Sequence, residues 1–285
     1  MTRHMRIPRS AVRIISSAGQ FVTTDELRAV VPSVFAVEPH ESRSERFHAI
    51  PTMSIINRLR DEGWGVTMAA QMRTKDEGRR DFTKHMLRFR RTDADTHKVL
   101  GMVFPEVVLF NANDGAAAYR LNAGLMRLVC LNGMTVSDED YGSVHVTHTG
   151  DVMGKVIEGT YEVLDESRKA LSRAERWSKI TLSHQQQMAF AQRALAIRFA
   201  DAEGKIKTPI KAGALLSARR VEDEGDSLWQ VVNRIQENII RGGLSGVGTD
   251  RHNRPRHVTT RPVLGIDQDQ RINRALWRAA EKLAA

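Results

Sequence analysis

The stretch WGVTMAAQMRTKDEGRRDFTKHMLRFRR, residues 64–91, decides the fold of this chain. Two runs rich in β-forming residues, 64–73 and 82–91, flank the charged and turn-rich segment 74–81. Runs of this length separated by turn residues are typical of an antiparallel hairpin. We therefore expect a small antiparallel sheet built around these two strands.

The second run of the hairpin alternates between two kinds of side chain. One face carries Phe82, Lys84, Met86, Arg88 and Arg90, and the other is mostly apolar. A basic stripe with interleaved aromatic residues is what a sheet needs to grip a nucleic-acid backbone and stack bases. A solvated sheet face without a ligand is the alternative interpretation.

The segments around the hairpin extend it into a mixed fold. Residues 53–60 follow a helical period that ends at Gly63. Residues 99–115 form a third β-rich run, in which Pro105 indicates an edge position, a bulge or two short strands. Residues 116–133 fit both a helix and a strand, and their length and closing Asn-Gly favour a helix.

The C-terminal half shows helical periods and helix caps. Ser183 and Ser227 each stand at the start of an amphipathic run, and the last residues form another. Near the N-terminus, Thr24 is a candidate N-cap and Pro32 a helix stop. The predicted class is α+β, a small antiparallel sheet with a β-β-β-α-like core followed by a mainly helical half. The predicted organisation is an N-terminal helix and arm (1–50), then a single domain (51–285) with a sheet-rich part (51–150) and a helical part (151–285).

The charge of the chain points to polyanionic partners. Lys and Arg number 43 against 34 Asp and Glu, which gives a net charge of +9 and a pI near 10.0. Arginine exceeds lysine, and its planar fork pairs with phosphate and stacks on bases. Such a balance favours nucleic acid as a partner, because binding releases condensed counterions.

Several classes of site are not expected. Cys130 is the only cysteine, which excludes an intramolecular disulfide and a cysteine-cluster metal site and suits a reducing cytoplasm. The histidine spacings fit no metal motif, and no phosphate-cradling glycine motif occurs. Residues 138–140, an acidic Asp-Glu-Asp run, could hold magnesium in a nuclease but are more often turn chemistry. We expect no enzyme, cofactor, metal site, membrane span or secretory signal peptide.

The stretch NRIQENIIRGGLSG, residues 233–246, carries a polar ribbon of Asn233, Glu237 and Arg241 at helical spacing. The ribbon could grip phosphate or bases, but an exposed, glycine-capped helix face with a Glu237–Arg241 pair is the favoured interpretation. The arginine-dense segment 242–262 follows, and we expect either a flexible tether for a nucleic-acid strand or a solvated linker.

Four stretches together resemble a known family. They are NANDGAAAYRLNAGLMRLVCLNGMTV (111–136), DEDYGSVHVTHTGDV (138–152), LWQVVNRIQENIIRGGLSG (228–246) and RPVLGIDQDQRINRALW (261–277). In this order they resemble a phage- and plasmid-encoded family known only as a domain of unknown function, from about residue 50 to the end. The resemblance implies a mobile genetic element, whose accessory proteins commonly handle single-stranded DNA, recombination or host defence. It brings no catalytic residues.

A second resemblance concerns topology. The expected order of a helix, three β-rich runs and a helix over residues 53–132 looks like the β-β-β-α core of phage single-strand annealing recombinases. That resemblance implies a homo-oligomer, a ring or filament, that binds a strand in a basic groove. Annealing needs neither a nucleophile nor a metal, although a shared fold does not establish a shared function.

The first hypothesis is therefore a cytoplasmic protein that binds and anneals single-stranded DNA as a homo-oligomer. The second is an accessory protein that inhibits a host defence system by docking on a protein, and the third is a metal-dependent nuclease. The candidate nucleic-acid-binding residues are Arg73, Lys75, Arg79, Arg80, Lys84, Arg88 and Arg90 in the hairpin, with Arg241, Arg251, Arg254, Arg256 and Arg261 as a second clamp.

Overall fold

The structure is a computed structural model, and it divides into two compact units. It describes residues 11–16, 20–44, 49–93, 103–127, 132–136, 143–145, 152–249 and 252–285. The N-terminal unit comprises residues 1–98, 102–171 and 264–266, and the C-terminal unit comprises 99–101, 172–263 and 267–285. The main boundary between these units falls near residue 171, inside a long helix.

An antiparallel sheet forms the centre of the N-terminal unit. Six strands follow one another in the order β1-β2-β3-β4-β5-β6, and β7 pairs with β5 beside β6. The strands are β1 Ala11–Ile15, β2 Trp64–Met72, β3 His85–Arg91, β4 Val103–Asn111, β5 Arg120–Arg127, β6 Asn132–Thr135 and β7 Ser143–His145. The predicted hairpin is confirmed as β2 and β3, and the α+β class is confirmed with it.

Two short helices accompany this sheet. The helix α1 (Thr24–Val30) contacts β1 and β2, and α2 (Thr52–Asp61) contacts β2. The N-cap of α1 is Thr23, one residue before the predicted Thr24, because Thr23 and Glu26 form a reciprocal capping box. The strand β1 adds to the sheet edge beside β2.

Within the segment predicted as a helix over residues 116–133, the middle part is instead a strand. Residues 120–127 form β5, which pairs along its length with β4. All of its residues except Arg120 are buried, so the apolar residues at helical spacing do not mark one buried helix face. The β-β-β-α order that carried the resemblance to annealing recombinases is therefore not observed.

Pro105 lies inside a continuous strand, at a position where β4 pairs with β5 but not with β3. The strand β4 runs between β3 and β5, and Pro105 faces Leu125 of β5. The pairing of β3 with β4 ends at Phe89 and Val107, and Val107 follows Pro105 by two residues. The missing N–H of proline therefore removes no hydrogen bond to β3.

The predicted basic stripe of β3 is buried. Arg88 lies opposite Met68 and Val108, and its side chain is 2% exposed. Its guanidinium is 3.2 Å from Glu106, and Arg90 lies 3.7 Å from the same carboxylate. Thr67 also donates a hydrogen bond of 2.9 Å to Glu106. Arg88 and Arg90 thus belong to a buried ion-pair network because a buried guanidinium needs a nearby carboxylate.

The same face of the sheet continues as an apolar cluster. Met68, Ala70, Met86, Val108 and Phe110 pack with Ile266, which belongs to the N-terminal unit. Alternation correctly grouped Met86 with Arg88 and Arg90 but could not reveal that this face is covered. Lys84, at the start of the stripe, is likewise only 7% exposed.

The opposite face carries a row of buried polar side chains. His85 lies between two hydroxyl groups, with Ser33 Oγ 2.9 Å from Nδ1 and Thr52 Oγ1 2.9 Å from Nε2. Asn111 donates to Thr52 at 2.9 Å, and Gln71 accepts a hydrogen bond of 3.0 Å from the backbone of Ser33. The row ties β2, β3 and β4 to the segments that carry Ser33 and Thr52. Burial lowers the pKa of His85 to about 4.

The C-terminal unit is mainly helical, as predicted. The last turn of α3 (Val152–Trp177) leads to α4 (His184–Phe199), α5 (Leu228–Arg241) and α6 (Ile266–Ala284). Ser183 and Ser227 cap α4 and α5 through capping boxes, which confirms both predicted caps. A two-stranded sheet of β8 (Ser245–Thr249) and β9 (Pro255–Thr259) lies between α5 and α6.

The helix α5 is buried around almost its whole circumference. Asn233, Gln236, Glu237 and Asn238 are each 5% exposed or less, so the favoured interpretation of an exposed polar face is wrong. The predicted glycine cap is present, with Gly242 at φ 67°. An added Cβ at Gly242 would lie 2.6 Å from the backbone of Arg261, so close approach as well as backbone conformation requires glycine here.

Glu106→Gln tests whether the arginines of β3 are structural. Removal of the carboxylate leaves two buried guanidinium groups without their counter-charge, and we expect the free energy of unfolding to fall by about 3–5 kcal/mol. Urea denaturation measures the change. The control is Asp93→Asn, which breaks the bidentate pair between Arg91 and the exposed Asp93 and should leave stability close to wild type. Equal effects of the two substitutions would contradict the assignment.

The lowered pKa of His85 leads us to expect that the protein loses stability in mild acid. The unfolded chain binds a proton near pH 6.5, whereas the folded chain does so only near pH 4, so the free energy of unfolding falls as pH falls through this window. The full loss is about 3 kcal/mol. Denaturation curves at several pH values measure the slope, and His85→Gln should flatten it whereas substitution of the exposed His184 should not. A slope that survives in His85→Gln would contradict the assignment.

Candidate nucleic-acid interface

The twelve predicted binding residues separate into four groups. Lys84, Arg88 and Arg90 are buried, so they offer no surface to a strand, and Arg251 lies outside the described residues. Arg241 is exposed but pairs with Glu237 at 3.1 Å. The remaining residues lie at least partly on the surface of one unit or the other: Arg73, Lys75, Arg79 and Arg80 in the N-terminal unit, and Arg254, Arg256 and Arg261 in the C-terminal unit.

The N-terminal group lies on the connection between β2 and β3. A short 3-10 helix, Glu77–Phe82, occupies most of this connection, and Asp76 caps it by accepting from the backbone of Gly78 at 3.0 Å. Arg79 is drawn toward Asp76 at 3.4 Å. Arg73 and Arg80 instead both line one cavity of about 280 Å³.

Gln71 fixes the walls of this cavity. Its side-chain oxygen accepts from the backbone N–H of Ser33, and its amide donates to the backbone carbonyl of Arg80 at 2.6 Å. The side chain is 4% exposed and lies next to His85 in the sheet register. The buried polar row therefore holds the segment after α1 and the arginine-bearing connection in a fixed relation.

The aromatic residues expected to stack bases do not form a surface platform. Phe89 is 1% exposed, and Phe82 is partly buried with its ring edge against His40 at a centroid distance of 5.2 Å. Base stacking requires an accessible ring face. The accessible chemistry of this region is therefore that of cations, not of stacked rings.

The arginine-dense segment after α5 is a β-hairpin and not a flexible tether. Its strands pair from Ser245 opposite Thr259 to Thr249 opposite Pro255. Arg256 lies opposite Gly248, which has no side chain to cover it, and Arg254 and His257 are also exposed. Over the described residues 243–249 and 252–263 the hairpin and its flanks contain no Asp or Glu.

The base of this hairpin is anchored in the C-terminal unit. Leu244 donates to Thr260 Oγ1 at 3.0 Å, and the backbone of Thr260 donates to the carbonyl of Leu244 at 2.9 Å. Val263, 2% exposed, donates to the carbonyl of Ile240 in α5. A Cβ at Gly246 would lie 2.7 Å from the carbonyl of Pro209, so the first strand passes close to that segment. The hairpin therefore presents its arginines from a fixed base.

The polar ribbon of α5 supports this base and is not itself a binding surface. Arg220 forms two hydrogen bonds with Glu237, at 3.1 and 3.2 Å, beside the pair with Arg241. Asn238 donates to the carbonyls of Leu215 and Ser217 at 3.0 and 2.9 Å. These contacts satisfy buried polar groups, as folded proteins require. The polar side chains of residues 233–238 therefore serve the packing of α5.

Other candidate chemistries find no support in the described part of the chain. No group of three or more His, Cys, Asp or Glu side chains there could hold a metal ion. The acidic run 138–140 and Cys130 lie outside the described residues. Among the helices described, none has the length and apolar composition to cross a bilayer.

Two features that decide which arginines are accessible were not predicted from the sequence: the buried ion-pair network at Glu106 and the cavity at Arg73 and Arg80. Glu106 is the single carboxylate in the apolar run 99–110, and a lone charge at such a place signals a buried partner. The cavity at Arg73 and Arg80 had no comparable signal, because it depends on the approach of the segment after α1, 38 residues before Gln71 in sequence.

Comparison with known proteins defines the family of the chain. The model of the family described as "Domain of unknown function (DUF932)" matches residues 39–277. "UPF0380 protein YafZ" of Escherichia coli (strain K12) is 44% identical over 262 residues, 92% of this chain and 91% of that protein. "UPF0380 protein YfjQ" of the same organism is 43% identical over equal shares. No solved structure matches the chain. By the extent of the family match and the identity to these relatives, the chain belongs to the DUF932 family.

Proposed function

We propose that the protein binds nucleic acid through its phosphate groups and that the β8–β9 hairpin is the main contact element. The observation that carries this proposal is an exposed two-stranded ribbon that bears Arg254, Arg256 and His257 and has no carboxylate among its described residues. A ribbon of this kind can lie in a major groove or follow the backbone of a single strand.

The charge of the whole chain supports the same proposal. A net charge of +9 attracts a polyanion from a distance, and contacts between arginine and phosphate then release counterions. The hairpin region from residue 242 to 262 contributes four arginines against one aspartate in sequence. Because its base is hydrogen-bonded to the end of α5 and to Thr260, little ordering of the hairpin backbone is needed when a strand binds.

The substrate that we propose is single-stranded DNA, with backbone contacts providing the affinity. The ribbon has no Phe, Tyr or Trp among its described residues, so base identity should matter little. Annealing and ring or filament assembly rested on the β-β-β-α order, which residues 120–127 do not follow. We therefore propose strand binding and do not extend the proposal to annealing or to ring or filament assembly.

The double substitution Arg254→Ala/Arg256→Ala tests the hairpin. Fluorescence anisotropy of a labelled oligonucleotide, titrated at several salt concentrations, gives the affinity and its salt dependence. Removal of two phosphate contacts should weaken binding and reduce the slope of log K against log salt by about 1.4 for a single strand and about 1.8 for a duplex. Oligonucleotides of different sequence should be affected alike.

The matched control is Arg176→Ala/Arg193→Ala. Both residues are exposed, both belong to the C-terminal unit, and the charge change is the same. This variant should keep nearly the whole slope. Equal losses in the two variants would show a general charge effect and not a contact at the hairpin. Absence of oligonucleotide binding by the wild-type protein at low salt would sink the proposal and favour docking on a protein partner.

A further inference from the structure

Two arginines of the N-terminal unit share a cavity and lack a counter-charge. Arg73 and Arg80 line the same cavity, and neither side chain forms an ion pair or hydrogen bond with any described residue. Their neighbour Arg79, on the same 3-10 helix as Arg80, is paired with Asp76. Two unpaired guanidinium groups around one concave surface indicate an anion site, because like charges held together repel unless an anion joins them.

The rest of the cavity has the composition of a small-ligand site. Val12 of β1, Val30 of α1 and Pro32 form apolar walls, and Thr74 adds a hydroxyl group near the arginines. Thr74 Oγ1 accepts from the backbone of Asp76 at 3.1 Å, which leaves its proton available to a ligand oxygen. No Asp or Glu lines the cavity among the described residues. Apolar walls with a few polar groups at one end are typical of binding pockets.

A neighbouring cavity differs from this one in the charge of its lining residues. That second cavity also touches Pro32 but is lined by Arg28, Glu38 and Asp81, so it carries charges of both signs. An anion would meet two carboxylates there. Of these two cavities, the one at Arg73 and Arg80 is lined by arginines without any carboxylate.

We propose that the cavity of Arg73 and Arg80 binds a phosphate monoester, with the two guanidinium groups and the Thr74 hydroxyl on its oxygens and the organic part against Val12, Val30 and Pro32. A monoester carries nearly two negative charges and three acceptor oxygens at neutral pH, which matches two arginines better than the single charge of a phosphodiester. The ligand is a free nucleotide or the 5′-terminal phosphate of a strand.

The site is independent of the hairpin proposal. Its residues all belong to the N-terminal unit, and a free nucleotide would bind there even if long strands did not use β8 and β9. Gln71 acts as a positioning residue, because its side-chain oxygen holds the backbone of Ser33 and its amide nitrogen that of Arg80.

Calorimetric titration of the full-length protein tests the site. The probes are thymidine 5′-monophosphate, thymidine and inorganic phosphate, and a second series compares oligo(dT) with and without a 5′-phosphate. We expect the monophosphate to bind and thymidine to fail. If the 5′-phosphate also raises oligonucleotide affinity, the ligand includes strand ends, whereas an unchanged affinity restricts it to free nucleotides.

Arg73→Ala/Arg80→Ala should lower affinity for thymidine 5′-monophosphate by at least about tenfold, because two charge-assisted contacts to the phosphate are lost. Arg79→Ala, which removes the paired arginine of the same helix, should retain the affinity within about twofold. The single substitutions Arg73→Gln and Arg80→Gln give the same test with smaller perturbation if the double variant unfolds.

Two results would overturn the site. One is the absence of any binding heat when the wild-type protein is titrated with thymidine 5′-monophosphate at millimolar concentration. The other is binding that Arg79→Ala weakens as much as Arg73→Ala/Arg80→Ala. Neither result bears on the hairpin proposal. That proposal is tested separately, by the slope of log K against log salt for the Arg254→Ala/Arg256→Ala variant with 5′-hydroxyl oligonucleotides.

Discussion

Burying a guanidinium group costs much free energy unless a carboxylate or other hydrogen-bond acceptors compensate it, and this constraint separates the arginines that hold the fold from those that can meet a ligand. Glu106 neutralises the buried Arg88 and Arg90 inside the sheet. Beside α5, the buried Glu237 pairs with the part-buried Arg220 and with the exposed Arg241. Arginines without such a partner remain at the cavity of Arg73 and Arg80. Arg254, Arg256 and Arg261 are exposed, and the described residues 243–249 and 252–263 around them contain no Asp or Glu. A net positive charge alone does not separate these groups.

The buried polar row gives the second part of the account. His85 contacts Ser33 and Thr52, and Gln71 joins the backbone of Ser33 to that of Arg80. The same side chains that satisfy one another inside the sheet therefore set the position of an arginine at the surface. Polar networks of this kind stabilise a unique arrangement only when their members are satisfied, and the lowered pKa of His85 shows how strongly burial favours its neutral form. Fold stability and site geometry in the N-terminal unit thus depend on shared contacts.

Local structure could be predicted from the sequence, whereas the burial of each sheet face by distant segments could not. The β2–β3 hairpin, the caps at Ser183 and Ser227 and the glycines after α5 all follow from short-range signals, and the structure confirms them. Residues 116–133 were misassigned because a strand buried on both faces loses the alternation that distinguishes it from a helix. The stripe at Arg88 and Arg90 was misplaced for a related reason: alternation groups residues by face, whereas burial depends on contacts with β4 and with Ile266, distant in sequence. The Arg254–Arg256 region was expected as a loop because its glycines and Pro255 mask a short exposed ribbon.

The most direct test of the central claim is an arginine footprint. The protein is treated with an arginine-specific dicarbonyl reagent with and without a saturating single-stranded oligonucleotide, and modification at each arginine is quantified by mass spectrometry. The account predicts that Arg254 and Arg256 react freely alone and are protected in the complex, that Arg176 and Arg193 react equally in both, and that the buried Arg88 stays unreactive throughout. Protection confined to other arginines, with Arg254 and Arg256 equally reactive in both states of a protein that binds the strand, would contradict it.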